Sequence, residues 1–305
     1  FIRNDSWMIG ALIFANIVQA IAFAFSRPAN KAIITELVEK DELVLYNSRL
    51  ELVLQVVSVS SPALSFLVLQ FASLRITLVL DALSFFLAFG LVALLPKKEE
   101  KTLGEKKLTF RVIFSDIKEG VHYIVKQKEI FFLLVMASSV NFFFAAFNYL
   151  LPFSNQLYGV QGAYATILTM GAIGSIVGAL LASKIKASME MLLFLLALTG
   201  LGVMIMGFDF PTYLAFSGNF ICELFMTIFN IHFFTQVQTK VDGEYLGRVL
   251  SSIYTLAILF MPIATGLMTL LPSVHLYSFL IIGLGVVALS FLALGYVRTH
   301  FKKEI

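Results

Sequence analysis

Apolar residues run through this chain in long blocks rather than in stripes. A window of about 19 residues separates nine of them: 7–25, 50–71, 76–95, 130–151, 163–183, 191–208, 212–234, 249–271 and 276–296. A helix of about 20 residues, rising 1.5 Å per residue, crosses a bilayer core roughly 30 Å thick. Helices are the form expected, because an open sheet would leave backbone N–H and C=O groups unpaired in hydrocarbon. The pattern therefore predicts an all-α membrane protein, a helical bundle with nine transmembrane helices.

One interval breaks the rhythm. Residues 96–129 are polar and basic, and within them Ile113, Ile117, Val121 and Ile124 recur at spacings of four, four and three. That is one apolar stripe on a charged segment. It reads either as a helix on the inner membrane face or as a solvated tether with a short helix. The chain thus divides into 1–95 with three blocks, a cytoplasmic linker at 96–129, and 130–305 with six blocks. Three plus six, starting at Phe1 without a signal-peptide pattern, is read as nine of an expected twelve helices, the first three being absent.

Composition agrees with lipid as the main solvent. Apolar residues make up 59% and charged residues 13%, with a mean hydropathy of +0.90. A water-soluble domain carries roughly twice that share of charge, and a disordered chain would be poor in apolar residues. The single cysteine, Cys222, excludes an internal disulfide framework. The net charge of +3 conceals a strong asymmetry, because 20 of the 22 Lys and Arg residues fall on one side when alternate loops are sorted. Only Arg3 and Arg75 fall on the other. The positive-inside rule makes the rich side cytoplasmic, so a multi-pass protein of the cell membrane with a cytoplasmic C-terminus is expected.

Ionisable side chains at membrane depth are costly, so each is a candidate functional group. Glu223 lies near the middle of 212–234, and Asn219, Glu223, Thr227 and Asn230 share one helical face. A carboxylate there can exchange a coupling proton or meet a cationic group on a substrate; alternatively it fixes helix packing. Asp81, the sixth residue of its block, either lines the outer half of a cavity or satisfies donors near a helix N-terminus. Glu51, Gln55, Ser58, Pro62 and Ser65 lie along another face. There Pro62 is expected to bend the helix, Gln55 to line a cavity, and Glu51 to form a surface ion pair beside Arg49. Asn141 and Asn148, seven apart, are read as packing amides or substrate contacts. His232 is read as a lone interfacial histidine. Gly174 and Gly178 with Ala182, and Gly171, Ser175 and Ala179, form two small-residue rows for close helix approach.

Some chemistry has no motif here. The sequence contains no Gly-rich phosphate loop ending in Lys-Ser/Thr, no His-Glu-x-x-His and no Gly-x-Ser-x-Gly. No enzyme activity, cofactor or metal site is expected. The basic linker follows the inside-positive bias rather than a nucleic-acid partner.

Four phrases carry a family resemblance. They are Arg27-Pro28-Ala29-Asn30-Lys31-Ala32-Ile33-Ile34-Thr35-Glu36-Leu37-Val38 with Asn47-Ser48, then Leu80-Asp81-Ala82-Leu83-Ser84-Phe85, then Asp116-Ile117-Lys118-Glu119-Gly120, and last Gly247-Arg248-Val249-x-Ser251. In this order they resemble the major facilitator superfamily, in its macrolide-efflux and enterobactin-exporter branch. The chain departs from that pattern at Ser61-Pro62-Ala63, where paired glycines would follow a Gly-Pro. It departs again at Gly178-x-x-x-Ala182-Ser183-Lys184, which lacks the acidic residue. The resemblance implies a secondary transporter that exports an amphiphilic molecule such as a macrolide by proton antiport and alternating access, monomeric when complete. A permease subunit served by a separate ATPase, and a non-transporting scaffold, are the alternatives.

Overall fold

A computed structural model of the chain describes residues 5–71, 74–94, 110–186, 188–209, 211–271 and 273–300. All nine apolar blocks fall on helices. The first three blocks lie in α1 (Asp5–Leu37), α2 (Leu43–Phe71) and α3 (Leu74–Ala93). Next come α4 (Phe110–Lys126) and α5 (Lys128–Leu150), then a short 3-10 turn and the four-residue α6 (Ser154–Leu157). The remainder is α7 (Ala163–Ala182), α8 (Met189–Met206), α9 (Thr212–Lys240), α10 (Gly243–Leu259), α11 (Met261–Thr269) and α12 (Tyr277–His300). Among the described residues, six segments are long and apolar enough to cross a membrane, from Lys128–Leu157 to Tyr277–Thr299, and Val79–Ala93 is a shorter apolar helix.

Helix ends follow local chemistry. Gly162 takes a left-handed φ of +83° just before α7, a conformation that costs glycine little. Ser188 caps α8, its hydroxyl accepting from the Met191 N–H at 3.2 Å, one of the donors a helix start leaves unpaired. Several boundaries differ from the sequence reading, since α2 starts at Leu43 and α9 runs on to Lys240, and two more have clear causes. The first block ends at 25, yet α1 continues through the buried Pro28 to Leu37, because hydropathy marks where a helix leaves lipid and not where it stops. Block 249–271 is broken at Phe260 into α10 and α11. Pro262 explains the break, since it has no N–H to donate and sits comfortably only in a first helical turn.

Helices α7, α9, α8 and α12 pack side by side in that order. Glycines set the spacing. A Cβ at Gly202 would lie 2.5 Å from the Cys222 nitrogen and 2.7 Å from the Gly218 carbonyl oxygen. On the other side of α8, a Cβ at Gly200 would lie 2.8 Å from the Gly283 carbonyl oxygen. Helix α5 packs on α10, α11 and α12, and Phe147, Phe229 and Phe279 are among the largest fully buried side chains. Against this body lie α1, on α10, and α2, on α7 and α9.

Helix α3 rests on α2, and its Phe85, Phe86 and Phe89 are 68%, 73% and 74% exposed. Water would not tolerate such a row, and hydrocarbon does. Helix α4 occupies part of the linker and turns the described part of its apolar stripe, Ile117, Val121 and Ile124, towards the protein. Ile124 is buried, Gly120 lies 2.5 Å (at its Cβ position) from the Arg248 carbonyl oxygen, and Tyr123 stacks on Tyr245 at 5.0 Å. Arg248 completes the joint, pairing with Asp116 at 3.2 Å and Glu119 at 2.9 Å.

Candidate functional site

The α7–α9 contact is narrow because α7 presents glycine there. A Cβ at Gly174 would collide with the Phe220 carbonyl, and one at Gly178 would lie 2.5 Å from the Leu224 carbonyl oxygen. That closeness brings the polar side chains of the two helices together. The Ser175 hydroxyl donates to Glu223 Oε2 at 3.3 Å. Asn219, one turn before Glu223, donates its Nδ2 to the Ile167 carbonyl at 2.8 Å. Gly171 leaves room for both, since a Cβ there would meet Asn219 Nδ2 and come within 3.1 Å of Glu223 Cγ.

Asn219 is only 2% exposed, yet its Oδ1 has no hydrogen-bond partner among the described residues. A buried acceptor left open is costly. A donor that reached this oxygen, one helical turn from Glu223, would remove that cost. Thr227 is buried on the same helix over Gly178, and Asn230 is half-buried one turn on.

Other expected site residues are placed elsewhere. Asp81 is exposed on α3, where its carbonyl accepts from the Ser84 hydroxyl at 2.7 Å, and it does not join Glu223. Asn141 is half-buried and Asn148 exposed on α5, whose main partners are α4, α10, α11 and α12. Pro62 lies within a continuous α2, and its side-chain surroundings fall outside the described residues. Gln55 donates to Glu51 Oε1 at 3.1 Å, and both are half-buried. Glu51 therefore has a partner one turn along its own helix, whereas Arg49, two residues away, projects to a different side. Glu51 also lies within electrostatic range of Lys31, Tyr254 and Glu223, so it faces the body of the protein. His232 is buried, and its Nε2 meets the Ala182 carbonyl at 3.0 Å. That carbonyl, at the end of α7, also accepts from the Ile185 N–H at 3.1 Å, so the histidine adds a second contact to it.

Sequence reasoning passed over a second polar cluster, where α1 and α2 meet α9. Asn47 Nδ2 donates to Gln238 Oε1 at 2.7 Å and to Thr235 Oγ1 at 3.2 Å. Its Oδ1 accepts from Lys31 Nζ at 3.3 Å, and Gln238 Nε2 donates to the Lys31 carbonyl at 2.7 Å. Lys31 also lies over the Phe234 ring, 4.9 Å from its centroid. Burial draws the Lys31 ammonium below its ordinary pKa, and the Glu51 carboxylate pushes it back up. The available signal was spacing, because Asn47 lies one turn before Glu51 on the stripe that continues to Gln55 and Ser58.

A cavity of about 280 Å³ lies apart from both clusters, lined by Ser139, Phe142, Phe143, Phe260 and Leu289. Its walls are mostly aromatic and it contains no ionisable group. No cluster of three or more His, Cys, Asp or Glu side chains suited to a metal ion occurs among the described residues.

Comparison with known proteins identifies the class. A protein of Enterococcus faecalis named macrolide efflux protein A is 27% identical over 276 residues, which is 84% of this chain and 80% of that protein. A Streptococcus pyogenes protein of the same name is 27% identical over 275 residues, and the match spans 64% of its length. No solved structure gives a significant match. The family model described as Major Facilitator Superfamily matches residues 2–257. With helices across the described residues and a half-buried carboxyl group between glycine-packed spans, the chain belongs to the Major Facilitator Superfamily, a family of membrane transporters.

Proposed function

We propose that this transporter exports an amphiphilic small molecule of the macrolide type in exchange for protons, by alternating access across the cell membrane, with its C-terminus in the cytoplasm. The observation that carries the reading is the Glu223 site, an ionisable group at mid-helix held, among the described residues, by one long hydrogen bond from Ser175, one helical turn from Asn219 Oδ1, which has no partner among those residues. A structural carboxylate would be fully bonded or ion-paired. One loosely held at membrane depth is suited to lose its proton when a substrate arrives and regain it when the substrate leaves. The open Asn219 oxygen offers the incoming molecule a hydrogen-bond acceptor, and Thr227 and Asn230 extend the polar face. Gln55, Asn141 and Asn148 are further polar contacts available to cargo from α2 and α5, and Asp81 is the second carboxylate of the reading.

The absence of a Lys or Arg near Glu223 on α9 suits neutral or cationic cargo, because an anion would face a carboxylate with nothing to balance it. The relatives' name, macrolide efflux protein A, supports the substrate class. The distribution of Lys and Arg supports the orientation.

Transport into inside-out vesicles tests the assignment. Glu223→Gln is expected to lower proton-driven macrolide uptake at least tenfold while leaving macrolide exchange down its own gradient in place. The amide keeps the shape and cannot carry the proton. Unchanged proton-driven uptake by Glu223→Gln would remove Glu223 from the coupling role.

A further inference from the structure

The Asn47 cluster lies far from the Glu223 site, on the seam where α2 packs against α7 and α9, and Glu51 on that helix lies within electrostatic range of Glu223. Gln238 is 15 residues beyond Glu223 on α9, about 22 Å along the axis at 1.5 Å per residue. Asn47 is likewise two turns before Gln55 on the α2 face that continues to Ser58. The cluster therefore closes the basic end of the seam. Its members come from both sides of the linker, Lys31 and Asn47 before it and Thr235 and Gln238 after it.

Three features set this cluster apart from ordinary packing. Asn47 and Gln238 are 0% and 2% exposed, so the bonds between them are made out of water. Asn47 uses both amide hydrogens and its carbonyl oxygen, all on other elements. The network is also reversible chemistry. It contains amides, a hydroxyl and one lysine, and each of these groups is soluble in water once the helices part. Lys40, in the turn between α1 and α2, adds a nearby contact to the Thr239 carbonyl at 3.4 Å. An apolar seal at the same place would be costly to open to water. A polar one exchanges its bonds for water at small net cost.

We propose that Asn47, with Gln238 and Thr235, is a clasp that holds the 1–95 helices against the 130–305 helices at the cytoplasmic end and shuts the seam leading to Glu223 from that side. The proposal deepens the alternating-access reading by naming the contact that must break for inward opening. It requires no assumption about the cargo or the coupling ion.

Sided thiol labelling tests it without any transport measurement. Cys222, the single native cysteine, is replaced by Cys222→Ala, and Gln55→Cys places one reporter on the α2 face two turns inside the clasp. Inside-out and right-side-out vesicles of the full chain are treated with a membrane-impermeant thiol reagent. Asn47→Ala is expected to speed labelling from the cytoplasmic face about tenfold, since removing one to two net hydrogen bonds shifts a closed–open equilibrium by that order. Labelling from the outer face is expected to fall or stay level. Thr235→Val, which keeps shape and loses the hydroxyl, is expected to shift sidedness the same way by a smaller factor. The exchanged pair Asn47→Gln with Gln238→Asn, which conserves the amides, is expected to restore the native rate.

Equal labelling of native and Asn47→Ala proteins from the cytoplasmic face would overturn the proposal. So would acceleration from both faces, the mark of general loosening. If Asn47→Ala fails to reach the membrane, Thr235→Val alone decides by the same comparison. A loss of coupling in Glu223→Gln leaves these rates untouched, so failure of the clasp and failure of the coupling role are told apart.

Discussion

At the scale of single residues, the site depends on groups too small to be noticed by their chemistry. Gly171, Gly174 and Gly178 let α7 approach α9 until Ser175 reaches Glu223. Gly202 and Gly218 do the same between α8 and α9. Gly202→Val would drive a branched side chain into the Cys222 backbone and the Gly218 carbonyl, and backbone cannot move aside as a side chain can. The expected cost is about 2–3 kcal/mol or more, the upper range for overpacking, read as a lower thermal midpoint in detergent. Gly90→Ala, at a position with no neighbour within 4 Å of its Cβ, is the control and is expected to leave the midpoint unchanged or slightly raised. The sequence made the Gly174-x-x-x-Gly178 row legible because its period is helical. It did not reveal the Gly200–Gly283 or Gly202–Gly218 contacts, since each joins one glycine from each of two helices and no spacing within a single helix marks them. Glu223 was legible because a charge at mid-span is conspicuous. The open oxygen of Asn219 was not, because a hydrogen-bond shortfall exists only after packing.

At the scale of elements, hydropathy located the helices and misjudged their ends. The continuation of α1 to Leu37 and the break at Phe260 both depend on backbone hydrogen bonding, which hydropathy does not register. Two phrases read separately in sequence, Asp116-Ile117-Lys118-Glu119-Gly120 and Gly247-Arg248-Val249, are one joint in space. Gly120 gives α4 its seat on α10, and Arg248 is held between Asp116 and Glu119. Their separation of more than 120 residues hid the pairing. Since Arg248 is the only cation in these two pairs, Arg248→Met should release α4 while sparing the apolar length of the side chain. Backbone amides of Phe110–Lys126 are then expected to exchange with solvent deuterium at least several-fold faster, with α8 and α12 unaffected. Unaltered exchange in α4 would mean that Gly120, Tyr123 and Ile124 hold the joint without the ion pairs.

At the scale of the whole molecule, two polar clusters divide the work along one seam. The clasp of Lys31, Asn47, Thr235 and Gln238 joins helices from before and after the linker, and the Glu223 site lies deeper, between α7 and α9. This separation suits a carrier, in which one group must change protonation while another contact changes partners. A static bundle would gain more from apolar residues at both places, because buried polar groups add little net stability. The family and the multi-pass architecture follow from the sequence and the comparisons together. The exchange of proton for substrate is the central claim that remains to be measured.

Proton release on substrate binding measures that exchange most directly. Purified protein in weakly buffered detergent solution receives a saturating macrolide while pH is recorded, and binding is followed in parallel by the ligand's displacement. The native protein is expected to release protons as the macrolide binds, and Glu223→Gln to bind the macrolide and release none. Equal release from both proteins, or macrolide binding to the native protein with no proton released, would contradict the account.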